Sequence, residues 1–234
     1  MSRSSLVDVL IENLLDRILG GEFAANQILP PEPVLALEAG VSRLTAREAI
    51  KALQAQNIVS VKRGLGTFVN PVSSWTGLDA IMRAASRGLG GDEVALRLLE
   101  VRRMVEAGSA ELAATNHSPG DLDRLDETIA DMEAASAGGD LDRLTASDLA
   151  FHDAVLAASG NPFLPALMGQ LSQLLYTLRR ETSAFKEVQE HAITHHKAVR
   201  AAISTGDPLA ARAAMEAHIQ QTLEDYDRYV RAER

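Results

Sequence analysis

Along the first seventy residues the spacing of apolar positions changes twice. Leu6, Val9, Leu10, Leu14, Ile18 and Leu19 recur at helical period over residues 4–19 and stop at Gly20-Gly21, which predicts a first helix with one buried side. Val34-Leu35-Ala36-Leu37-Glu38-Ala39, preceded by Leu29-Pro30-Pro31-Glu32-Pro33 and closed by Gly40, predicts a short second helix. After the turn Gly40-Val41-Ser42, residues 43–56 offer Leu44, Ala49, Ile50 and Leu53 for packing and leave Arg43, Thr45, Arg47 and Lys51 to face outward. Two helices joined by so tight a turn make a helix-turn-helix pattern, whose second helix enters a DNA major groove. The period then shortens to that of strands. Residues 58–63 and 67–69 flank Gly64-Leu65-Gly66, predicting a β-hairpin wing with Lys62 and Arg63 at its basic tip.

From residue 78 onward the period stays helical. Its interruptions at Gly88 to Gly91, Ser118-Pro119-Gly120, Gly138-Gly139-Asp140, Gly160-Asn161-Pro162 and Gly206-Asp207-Pro208 have the composition of helix ends. Ser118 and Asp207 suit N-caps, each with a proline at the first helical position. The expected fold is therefore mainly α: a winged helix-turn-helix of three helices plus a small hairpin over residues 1–70, a linker at 71–77, and an all-helical antiparallel bundle of about six helices over 78–234.

Charge sharpens this division. Residues 1–70 carry seven basic and seven acidic side chains, so the whole net charge of −9 falls on the remainder, which also holds all six histidines. Between Ser42 and Gly64 five basic residues face the single Glu48, a local concentration suited to a polyanion in an otherwise acidic chain. Arginine can meet guanine O6 and N7 with its planar fork, while lysine and backbone N–H groups hold phosphate. The absence of cysteine excludes disulfides, thiolate metal sites and a cysteine nucleophile. No phosphate-binding glycine loop and no GxSxG elbow occurs, and no apolar run approaches a membrane span. A cytoplasmic protein with no membrane partner is expected.

In the second region Asp148 and His152 stand at i and i+4, flanked on their face by Leu141, Leu144, Phe151 and Val155, so both point inward. His196 shares a face with Ala192, Val199 and Ile203; His218 shares one with Ala211, Met215 and Thr222. The turn Thr205-Gly206-Asp207-Pro208 lies nine residues after His196 and ten before His218, so an antiparallel hairpin brings the two abreast. A lone inward histidine is more often a hydrogen-bonded core residue, but three imidazoles and a carboxylate on facing helices suit a divalent metal, zinc first, with nickel or manganese as alternatives. His191 and His195 form a competing i,i+4 pair, and spacing alone leaves His195 open. Arg102 shares a face with Leu98, Val105 and Ser109, where its fork could hold an effector carboxylate or pair with Glu106 one turn on. Asn161 could contact the same ligand or cap the helix that starts at Pro162.

Leu29-Pro30-Pro31-Glu32, Gly40-Val41-Ser42-Arg43, Ala46-Arg47-Glu48-Ala49 and Gly64 to Val69 together resemble the winged-helix domain of GntR-family bacterial regulators. That resemblance puts Arg43, Thr45 and Arg47 at DNA-contacting positions of the recognition helix and Arg63 with Gly64 at the wing tip entering the minor groove. Pro33 stands where the family usually has an arginine, so one DNA contact is absent and operator preference is expected to differ. Leu99-Glu100-Val101-Arg102, Glu106, Asp148 to His152, Gly160-Asn161-Pro162 and the paired His196 and His218 resemble the helical FCD effector domain of the FadR subfamily. In metal-containing members one Asp and three His are the ligands, implying Asp148, His152, His196 and His218 here and a small organic acid as effector. The expectation is a homodimeric, acid-responsive repressor on double-stranded operator DNA with inverted half-sites, and no enzyme. Two other readings are a metal-dependent hydrolase using Asp153 or Glu106 as base, and an architectural DNA-binding protein without a sensor.

Overall fold

A computed structural model describes residues 5–233. Its elements in the first part are α1 (Leu6–Leu19), α2 (Glu32–Glu38), α3 (Arg43–Ala55), the antiparallel strands β1 (Val59–Lys62) and β2 (Gly66–Val69), and α4 (Leu78–Ser86). Pro33 fits within the first turn of α2, where a missing N–H is no loss. Ser42 caps α3 by accepting from the Thr45 N–H at 3.0 Å. The buried stripe of α3 is Ala46, Ala49, Ile50 and Leu53. Leu44 sits two residues, some 200° of helix, before its first member, so it is 67% exposed on α3 instead of packing. In α1 the buried arc centres on Leu14 and Ile18 and extends through Leu10 and Leu15, leaving Leu6 and Val9 exposed off its edge.

The strands pair Val59 with Val69 and Lys62 with Gly66, and the segment around Ile28 adds a bridge to Phe68. The chain forms two compact units, one ending at Gly88 and the other beginning at Leu89. The expected linker and the helix after it accordingly fold with the first unit: Trp75 is buried in its core and donates its indole N–H to Asn70 O at 3.0 Å, and Ala80 of α4 joins the same core.

The second unit contains α5 (Gly91–Asn116), α6 (Pro119–Gly138), α7 (Leu141–Ala158), α8 (Phe163–Gly169), α9 (Ser172–Thr182), α10 (Lys186–Ser204) and α11 (Pro208–Asp225). Ser118 and Asp121 form a reciprocal capping box at the head of α6, and Asp207 accepts from the Leu209 and Ala210 N–H groups at the head of α11. The stretch between Pro162 and Gly206 carries none of the expected stops, yet it breaks after Gly169 and again at Ser183 to Phe185. Long α5 packs against α7, α10 and α11, with Ala107, Ala110 and Ala113 letting the backbones approach around Phe151, Val199, Ile203 and Met215. No helix among the described residues is long and apolar enough to cross a membrane.

Candidate metal centre and nucleic-acid interface

Three helices direct four polar side chains into the middle of the second unit. Asp148 and His152 come from α7, His196 from α10, His218 from α11, and all four are buried because their helices present one continuous apolar stripe to the core. The Nε2 atoms of His152, His196 and His218 form a triangle with sides of 3.2, 3.2 and 3.3 Å. Zinc–imidazole bonds of ~2.0–2.1 Å place neighbouring ligand nitrogens ~2.8–3.4 Å apart from right-angle to tetrahedral geometry, so the triangle fits a bound cation. Nδ1 of each ring lacks a hydrogen-bond partner among the described residues; that of His152 is 2.8 Å from Glu106 Oε2 but out of line for a bond. In the Nδ1–H tautomer each Nε2 lone pair points at the others, a repulsion that a divalent ion relieves.

Asp148 lies at the margin of this trio. One carboxylate oxygen is 3.4 Å from His196 Nε2 and the other accepts a short bond from Arg179 Nη1. Arg102 and Glu106, both 1% exposed on α5, form the i,i+4 ion pair, with Arg102 Nε donating to Oε1 at 2.9 Å and Nη2 lying 3.4 Å from Oε2. Arg102 Nη2 also stands 3.3 Å from His152 Nε2. His195 is half-buried with its ring 6.1 Å from that of His218, outside the trio, and His191 instead faces Asp225 at 3.1 Å. Asn161 is exposed and uses its Oδ1 to accept from the Phe163 N–H at 3.0 Å.

Burial, together with the charges of Arg179 and Arg102, pushes the imidazoles toward the neutral form. His196 is lowered to about 4, and His152 and His218 fall well below the ordinary histidine value, the latter chiefly by burial and then by His196 and His152. Burial pushes Asp148 up, but Arg179, His196, His152 and Arg102 outweigh it and hold the carboxyl below the usual range. The trio is therefore neutral and the aspartate charged near pH 7, the protonation states that metal ligation requires.

Arg179 escaped the sequence reading. It is 4% exposed on α9, one turn after buried Leu175 and beside buried Leu178, and that helical spacing was the available signal.

In the first unit the basic side chains of α3 are exposed. Arg47 Nε donates to Glu32 of α2 at 3.1 Å, and Lys51 pairs with Glu48 at 3.0 Å. Arg43 is exposed at the helix head, and Thr45 is half-buried with its hydroxyl 2.8 Å from Ser42 Oγ. Arg63 and Gly64 lie exposed at the wing tip, where Gly64 has φ +77°, while Lys62 lies over the Phe68 ring at 4.7 Å. Exposed ion pairs contribute little, so DNA phosphates and bases can displace Glu32 and Glu48.

Residues 6–69 match bacterial regulatory proteins of the gntR family, and residues 97–221 match the FCD domain. The chain belongs to the gntR family. This FCD-containing gntR protein is 34% identical over 208 residues to the HTH-type transcriptional regulator LutR of Bacillus subtilis, covering 86% of this chain and 92% of the relative. It is 28% identical over 209 residues to the galactonate operon transcriptional repressor of Escherichia coli, covering 88% of this chain and 90% of that one. Among solved structures it is similar to Streptococcus agalactiae GntR, with 28% identity, a TM-score of 0.54, and coverage of 93% of this chain and 99% of the other. These relatives regulate transcription, so the gntR protein is a DNA-binding transcriptional regulator and the hydrolase reading falls. Neither proposed base suits hydrolysis: Glu106 is engaged by Arg102, and Asp153 is exposed.

Proposed function

We propose that this regulator is a homodimeric cytoplasmic repressor that releases an operator of inverted half-sites when a small carboxylic acid binds at a divalent metal. Asp148, His152, His196 and His218 hold the metal, zinc by first choice and nickel or manganese otherwise. The observation that carries this reading is the buried triangle of neutral imidazole Nε2 atoms, set on three helices of the effector unit with each Nδ1 left without a hydrogen-bond partner among the described residues. The metal supplies a positively charged anchor for a carboxylate.

Electrostatics support an acid as the effector. Arg102 with Glu106 and Arg179 with Asp148 form two mutually neutralising pairs, so the charge of a divalent ion is left for an anionic ligand to balance. Repression and an acidic effector are also supported by the relative named for the galactonate operon, since galactonate is a sugar carboxylate. On the DNA side, Arg43, Thr45, Arg47, Lys51, Arg63 and Gly64 make the contacts, Arg47 after leaving Glu32.

The test is a thermal-shift screen of hydroxy acids, sugar acids and dicarboxylic acids on the full chain, with and without zinc, nickel or manganese, followed by operator titration. An effector acid raises the melting temperature only with metal present and weakens operator binding. Operator affinity that no acid or metal changes would leave an architectural DNA-binding role. His196→Ala is expected to lose metal and acid response yet keep operator binding, and His195→Ala to lose neither. Full metal occupancy in His196→Ala overturns the ligand set.

A further inference from the structure

Among the described residues, Arg179 presents an open hydrogen-bonding edge beside the imidazole trio. Its Nη1 is held by Asp148, whereas Nε and Nη2 have no hydrogen-bond partner although the side chain is 5% exposed. Glu106 Oε1 is the nearest carboxylate oxygen to that edge, 3.7 Å from Nη2 and already accepting from Arg102 Nε at 2.9 Å. Nε and Nη2 are the two nitrogens of the side-on guanidinium fork, the geometry that takes both oxygens of one carboxylate. Buried donors left without acceptors are costly, so such an edge signals a missing partner. The corresponding edge of Arg102, Nε and Nη2, is already closed by Glu106.

We infer that Arg179 is the carboxylate anchor of the effector site, its Nε and Nη2 gripping one carboxylate of the acid while Arg102 with Glu106 braces the histidines. The assignment rests on the reading of this centre as the effector site and adds a binding residue to it. Asp148 is shared between Arg179 and the trio, so Arg179 also holds that aspartate toward His196.

The experiment compares the wild-type full chain with Arg179→Lys, Arg179→Gln and Arg102→Lys, each loaded with zinc. Zinc content is measured first, and the best-binding acid from D-galactonate, L-malate, L-lactate and citrate is then titrated calorimetrically against its uncharged amide. Arg179→Lys retains a cation for Asp148 but loses the fork. It is expected to keep its zinc and to lose about tenfold or more in acid affinity, with the preference for acid over amide reduced to match. Arg102→Lys is expected to retain the larger part of that preference. Arg179→Gln reports whether Asp148 alone can keep the metal in place. If the wild type binds zinc but none of the four acids, the acid-sensing reading fails and the anchor with it. If the wild type binds an acid and Arg179→Lys binds it equally well with unchanged preference, the anchor assignment alone is overturned.

Discussion

Arg47 illustrates how one side chain can hold two allegiances. In the free chain its Nε faces Glu32, 3.1 Å away and on a neighbouring helix, and 59% of the side chain remains exposed. That pair pre-orients the guanidinium without holding it strongly. Arg47→Ala is expected to weaken specific operator binding by ~1–3 kcal/mol and to relax preference at one base position, while Lys51→Ala weakens all sequences alike and lowers the salt slope by about 1. Titrations on operator and scrambled DNA separate the two; equal losses on both for Arg47→Ala would remove it from base readout. The histidines make a second residue-scale prediction. His196 has a value of about 4 in the folded chain against 6.5 ordinarily, so between these limits the unfolded chain binds more protons. The stability this contributes is fully present above about pH 6.5 and is lost as pH falls through 4, approaching about 3 kcal/mol for this one group. Urea midpoints of the metal-free protein from pH 7 to 4.5 should therefore fall, and fall less in His196→Gln. A flat profile would show that the ring takes up its proton over the same range folded and unfolded, and would overturn the downward shift.

The α10–α11 hairpin sets the register of the centre. Gly206 takes φ +72° in the turn, Asp207 caps α11 through two N–H groups, and the result brings His196 and His218 Nε2 within 3.2 Å. Asp207→Ala is expected to cost about 1 kcal/mol of stability and to weaken metal binding while leaving operator affinity unchanged. Thermal unfolding and zinc titration check both parts. The wing depends on its glycines in a similar way. A Cβ on Gly66 would meet Ile28 Cδ1 at 2.7 Å, and φ there is +118°, so Gly66→Ala is expected to lower stability by about 1–3 kcal/mol and weaken operator binding with metal content unaltered.

Across the whole molecule, the candidate metal centre and the winged helix lie on separate units with separate cores. An acid can shift the protein toward its DNA-free form only by its difference in affinity for the two forms. Reciprocity then requires that an acid weakening operator binding by some factor binds the operator complex more weakly by the same factor. Calorimetric titration of the acid into free protein and into the protein–operator complex measures that equality. Equal acid affinities together with weakened operator binding would place the effect outside a simple equilibrium coupling.

Local pattern alone determined a good deal of this protein. The helix-turn-helix, the basic hairpin, the caps at Ser118 and Asp207 and the inward aim of His152, His196 and His218 all follow from spacing within one or two turns, where φ/ψ preferences and the 3.6-residue period act directly. Only the tertiary structure decided what depends on neighbours distant in the chain. Trp75 and α4 joined the first unit because Trp75, Ala80, Ile81 and Ala84 pack against its core, and Leu44 remained exposed because the stripe of α3 runs through Ala46. Arg102 turned to Glu106, and Arg179, on a helix whose limits carry no strong breaker, arrived beside Asp148 from 31 residues away. Periodicity says which way a side chain faces. What it meets there is set by how the helices cross, which no single segment encodes.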